Sequence, residues 1–163
     1  MARSPIAANA SAHSAVSDAF EPKDRWAMDW YYPVLTGALT GEAALGGLAE
    51  GWDTFALEGK GIRCVTDEPW VTASETAECA LAFAAIGDRA TASDLLTWTR
   101  AHRRDDGAYW TGLVYERRRA PARFPFEEHT SYTAAAVILA ADAIAGASPA
   151  ASLFIPHPTD DDD

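Results

Sequence analysis

Cysteine is scarce in this chain, basic residues are outnumbered, and no long hydrophobic run occurs. The two cysteines, Cys64 and Cys79, cannot form a disulfide framework and lack the paired close spacing of a zinc site. No metal and no other cofactor is therefore expected, and a reduced, cytoplasmic setting is the simplest expectation. Thirteen Lys and Arg against 24 Asp and Glu leave a formal charge of −11, which argues against nucleic acid, whose phosphates demand clustered cations. Part of that charge is the run Asp160 to Asp163, read as a solvated tail. No stretch has the length of a transmembrane helix. The first ten residues carry one positive charge but no sustained apolar run, unlike a signal peptide.

What is present fits one soluble domain. A chain of 163 residues buries roughly two thirds of its unfolded surface as a single unit, and 48% hydrophobic with 23% charged residues is ordinary for a globular protein. Six tryptophans suggest either a Trp-rich core or aromatic surface lining a pocket.

The stretch from Pro69 to Gly87 organises the rest. It has small or apolar residues on nearly every face, with only Glu75 and Glu78 charged, and a helix without a broad polar face is enclosed by other helices. Thr72 and Glu75 have the spacing of a capping box. Further helices are predicted over Ile6 to Phe20, from the Trp26 to Leu39 stretch with Pro33 in the first turn, over Glu42 to Trp52, over Arg89 to His102 behind Asp88, and over Thr130 to Ala145. Asp29, Trp30 and Tyr31 would then stand at the mouth of their helix. Phe55 to Val65 and Ala108 to Tyr115 are two β-prone excursions, and Arg117 to Arg123 is a basic loop. Asp29, Gly41 and Trp52 each lie 46 residues before Glu75, Gly87 and Trp98, and Thr76-Ala77 against Thr133-Ala134 begins a third copy. Such units hide their apolar faces only against neighbours.

Several blocks carry a resemblance: Met28 to Leu35, Trp52 to Phe55, Gly61 to Val65, Pro69 to Thr72, Asp105 to Gly112 and Tyr132 to Ala143. Together, over roughly Phe20 to Ala145, they resemble the C-terminal half of bacterial proteins labelled prenyltransferase. That family is similar to the α/α-toroid superfamily of terpenoid cyclases, protein prenyltransferases and six-hairpin glycosidases. Asp106-Gly107-Ala108-Tyr109 resembles the end of a structural motif of triterpene cyclases. The resemblance implies an all-α fold, an incomplete α/α toroid of antiparallel helical hairpins with two β-hairpin-like excursions. It implies one domain over residues 1–146, a fragment of a larger ring, with residues 147–163 as a disordered acidic tail. The implied partner is a small molecule, an isoprenoid or a carbohydrate, held in a central cavity. A six-hairpin glycosidase-like hydrolase and a non-catalytic binding or assembly fragment are the alternatives.

In such a ring the helix entrances converge, which makes Asp29, Glu75 with Glu78 one turn on, and Glu127 and Glu128 the candidate acids. Paired carboxylates in an apolar, aromatic cavity have the separated pKa values that acid and base chemistry needs. Capping alone would also account for Glu75, and aligning Thr76 with Thr133 puts Glu128 one turn before the Glu75 slot. Trp30, Trp70, Tyr109 and Trp110 could stack on a sugar face or a carbocation. Arg63 could reach a carboxylate or phosphate, or serve in a surface ion pair. An apolar flank around Ile6 to Phe20 and Trp26 to Leu39 is expected to promote self-association.

Overall fold

The computed structural model describes residues 24–115 and 120–155. The predicted Ile6 to Phe20 helix, most of the basic loop's first half and the acidic tail lie outside these residues. In chain order the elements are α1 (Ala27–Leu35), α2 (Gly41–Phe55), β1 (Ala56–Leu57), β2 (Gly61–Arg63), β3 (Trp70–Thr72), α3 (Ala73–Ala85) and α4 (Arg89–Trp98). A 3₁₀ turn over Thr99–His102, β4 (Gly112–Val114), β5 (Ala122–Phe124), α5 (Ser131–Ala145) and a 3₁₀ turn over Pro149–Leu153 follow.

Helix α3 is the centre of the molecule. From Ala73 to Ala84 every residue except Glu75 is buried, as its lack of a polar face requires. It packs against α4, α5, α1 and β2. Leu48, Phe55, Ala80, Phe83 and Leu95 share one apolar cluster with α1, while Ala77 and Leu81 meet Ala136, Val137 and Ala140 of α5 in a second. The predicted ends of the outer helices follow local chemistry. The Asp88 side chain accepts from Thr91 N at 3.0 Å, Thr130 accepts from Thr133 N at 3.1 Å, and Gly146 closes α5 at φ 62°, a left-handed conformation suited to glycine.

The all-α expectation is overturned. The two excursions and the Trp70–Thr72 segment form one five-stranded antiparallel sheet in the order β1-β2-β3-β4-β5. Trp70 to Thr72, assigned by pattern to the entrance of the central helix, is instead the middle strand. It pairs with β2 through Ile62 opposite Thr72 and with β4 through Val71 opposite Leu113. Strands of two or three residues carry too short a period to register in the sequence, and their backbone groups are satisfied only by chain that is distant in sequence.

Two other expectations change. Pro33 lies inside α1 instead of in its first turn, because the helix begins at Ala27; Asp29 is in that first turn, with Trp30 and Tyr31 further in. Thr72 and Glu75 do not form a reciprocal capping box, since the Thr72 side chain bonds Glu75 itself and no backbone N–H. Thr76 makes the joint between sheet and helix. Its Oγ1 donates to Thr72 O at 2.6 Å and accepts from Ile62 N at 2.8 Å. Gly61 permits this approach, for a Cβ there would stand 2.5 Å from Thr76 Oγ1.

Past Gly146 the described residues include a 3₁₀ turn over Pro149–Leu153, and Phe154 and Ile155 lie against the core. Trp26, on the predicted flank, is 44% exposed, but Ile138 at 65% and Leu139 at 40% place more apolar surface on α5.

Candidate functional site

Helices α1, α3 and α5 all begin beside the sheet, and the backbone shows why. Ala27 N donates to Cys64 O at 3.0 Å, just past the end of β2. Helix α3 continues directly from β3, and Ala73 N donates to Thr111 O at 3.1 Å. Thr111 N in turn donates to Glu128 O at 3.0 Å, two residues before the cap of α5. The sheet thus gathers three helix entrances at one end of the molecule.

On the inner faces of those helices, three side chains converge on one carboxylate. Glu78 is buried. Tyr31 donates to its Oε2 at 2.7 Å, Tyr32 donates to the same oxygen at 3.2 Å, and Tyr132 of α5 donates to Oε1. Three phenols give it hydrogen bonds, and satisfying it this way offsets the cost of burying the carboxylate. The phenols respond. Burial first, then the Glu78 and Glu75 charges, push Tyr31 far above its ordinary range. Burial and Glu78 raise Tyr32 and Tyr132 as well.

One turn earlier on the same helix, Glu75 is half-buried. Its Oε2 accepts from Thr72 and from Ser74 at 2.7 Å. Residues three apart on a helix are neighbours on its surface, so the buried Glu78 and the accessible Glu75 form one acidic stripe facing α1. Beside Glu78 a cavity of about 170 Å³ opens between α1, α3 and α5. A larger concavity of about 530 Å³, between α1, α2 and the last 3₁₀ turn, is lined by no titratable side chain and offers no chemistry.

The sequence-derived candidates fall in three places. Asp29 and Glu75 occupy the first turns of α1 and α3, and Glu128 lies in the exposed segment leading to α5, all at the sheet end. Trp30 is a packing residue: it donates to Gly47 O at 2.9 Å and stacks on Phe55 with ring centroids 5.4 Å apart. Arg63 donates to Thr54 O near the end of α2. Trp70 stacks on Phe124 at 4.2 Å, which holds β3 to β5 across β4. Tyr109 packs against the α3–α5 cluster.

The guanidinium groups of Arg104 and Arg123 lie over the Trp110 ring, 4.4 and 4.2 Å from its centroid, with the His129 ring edge-on at 6.0 Å. Trp110, Arg104 and Arg123, together with Arg103, Asp105 and Asp106, border a separate open basin of about 420 Å³. The tyrosine cage was not found by sequence reasoning. Its only signal was the pair Tyr31-Tyr32 beside Asp29, and nothing in the local pattern joins them to Tyr132. Among the described residues no group of three His, Cys, Asp or Glu could hold a metal ion, and no helix is long and apolar enough to cross a membrane.

No protein-family model matches the chain. Over 137 residues it is 50% identical to a protein of Mycolicibacterium hassiacum named MMP endo-(1,4)-3-O-methyl-alpha-D-mannosidase, a match that covers 84% of this chain and 37% of the relative. The chain therefore spans little more than a third of the length of the curated relative it matches. That relative is a glycosidase by name, which agrees with the hydrolase alternative and gives the prenyltransferase and terpenoid-cyclase reading no support.

Proposed function

We propose that this chain is part of a carbohydrate-active hydrolase that cleaves a 1,4-linked mannoside, with 3-O-methyl-α-D-mannose units as substrate. The observation that carries the reading is the acidic stripe of Glu75 and Glu78, set among three tyrosines where three helices begin, in a chain half identical to a mannosidase. Glycosidic hydrolysis needs one carboxyl group to protonate the leaving oxygen and a second to activate water or attack the sugar. Glu75 has the right environment for the group that meets substrate. It is accessible, and two hydroxyls on Oε2 fix its orientation while, among the described residues, Oε1 has no partner.

Asp29, in the first turn of α1, is the proposed second acid, and Glu128 the competing candidate from the exposed approach to α5. Glu78 is buried and held by phenols, and it fixes Tyr132, whose ring, 56% exposed, presents flat apolar surface to a sugar. Arg63, Trp30 and Trp70 are engaged in the fold and leave Trp110 as the aromatic best placed to extend the binding surface along the sheet end.

The test is cleavage of a 1,4-linked oligomer of 3-O-methyl-α-D-mannose by the purified chain, followed by separation of the products. Shorter oligomers are expected from the native chain, and Glu75→Gln should lower the rate by about 10²-fold or more. Asp29→Asn and Glu128→Gln, compared in the same assay, identify the second acid. Full activity in Glu75→Gln would sink the assignment. Binding without cleavage would make the chain a recognition piece of a longer enzyme.

A further inference from the structure

We infer that the cavity beside Glu78 is a pouch for the methoxy group of a methylated sugar, and that it sets the preference for methylated over unmethylated glycan. The inference rests on the proposed action on a mannoside. The cavity of about 170 Å³ has walls made by Leu35, Leu81, Ala136, Leu139 and Phe154, and its polar atoms come from Glu78 and Tyr132 at one side. A water occupies about 30 Å³ of liquid, so the space takes a group of several heavy atoms. Over most of its wall a hydroxyl would find no hydrogen-bond partner and would lose its hydration uncompensated. A methyl ether has no donor to strand and buries its methyl group favourably.

The single polar side of the pouch suits the rest of such a ring. Glu78 Oε1 accepts from Tyr132, and a carboxylate oxygen has a second lone pair for another donor. On a 3-O-methylmannose unit the neighbouring 2-hydroxyl can supply that donor while the methyl group points to Leu81 and Phe154. Tyr132, 56% exposed, stands at the mouth, and Ala135 and Leu139 form an accessible rim. The sugar thus has a route in from solvent.

The experiment measures binding of two probes to the full 163-residue chain: a 1,4-linked oligomer of 3-O-methyl-α-D-mannose, and the same oligomer without methyl groups. A missing methyl in an apolar pocket is worth roughly 10- to 200-fold, so the methylated oligomer is expected to bind tighter within that range. Ala135→Phe fills the pouch from its exposed rim, and the ratio of the two affinities should collapse towards one. Leu139→Gln, which makes the wall polar at a half-exposed position, should shrink the ratio without relying on the first variant; melting curves confirm that both remain folded. Equal affinities in the native chain, or a preference that survives both folded variants, overturn the pouch and leave the glycan reading standing. Failure of the native chain to bind either oligomer overturns both.

Discussion

Tyr31 Oη and Glu78 Oε2 lie 2.7 Å apart across 47 residues of sequence, and both residues are buried. The bond joins α1 to α3 and makes Tyr31 one of three phenols that support the buried carboxylate. Removing a hydrogen-bond partner from a buried carboxylate leaves it under-satisfied, a loss of about 1–3 kcal/mol. Tyr31→Phe should be destabilised by that amount in urea unfolding, and the double variant with Glu78→Gln should lose less than the sum of the two single changes, since the residues act on one interaction.

The same pair sets an alkaline limit. Burial and the Glu78 charge hold the Tyr31 phenol above its ordinary value of 10.0 in the folded chain, so the unfolded chain releases that proton first. The contribution is fully present below about pH 10 and is lost as the pH rises beyond it, by at most about 1.4 kcal/mol per pH unit for this tyrosine. Stability measured by urea titration above pH 10 should fall less steeply in Tyr31→Phe than in the native chain.

At the acid end the group to watch is His102, which is fully buried. Burial lowers its pKa from 6.5 to about 4; the Trp110 backbone opposes the shift, yet neither ring nitrogen makes a hydrogen bond of good geometry among the described residues. A depressed folded value means that stability is complete above about pH 6.5 and drains away as the pH falls towards 4, by about 3 kcal/mol. In His102→Phe the part of the urea midpoint's acid dependence between those limits should disappear.

Two glycines of α2 should respond in opposite directions to alanine. At Gly51 a Cβ would stand 2.3 Å from Trp30 Nε1, against the ring that anchors α1 on α2, and overpacking of this kind costs about 1–3 kcal/mol. At Gly46 no atom lies within 4 Å of the new Cβ, and the helix propensity of alanine should add up to about 1 kcal/mol. Thermal midpoints of the two variants on either side of the native value would bear this out; two decreases would show that α2 does not tolerate substitution for another reason.

Both thiols should be inert in the folded chain. Burial pushes Cys64 up to about 12 and raises Cys79 well above its ordinary value, and only the thiolate is nucleophilic. A colorimetric thiol reagent at about pH 8 should report no reactive cysteine until denaturant is added, and two afterwards. Rapid reaction of either without denaturant would mean that the core around α3 opens readily.

Local chemistry is legible in this sequence wherever a residue acts on its own neighbours. The enclosed character of Ala73 to Ala84, the Asp88 cap and the end of the last helix at Gly146 follow from local residue types, and each is found where the pattern predicts it. The entrance acids were also legible as a class, because Asp29 and Glu75 stand out against apolar surroundings.

Tertiary structure alone decided the sheet and the cage. Trp70 pairs with Val114, and strands this short have no periodicity of their own; their identity comes from partners supplied elsewhere in the chain. Glu78, which in sequence is one more acid on a helix, receives its three phenols from positions 46, 47 and 54 residues away. The burial of α3 forced that carboxylate to find donors, but which side chains would reach it depended on how α1 and α5 docked. Composition and period fix which face of a helix is buried, whereas the partner on the other side of that face is chosen by packing in three dimensions.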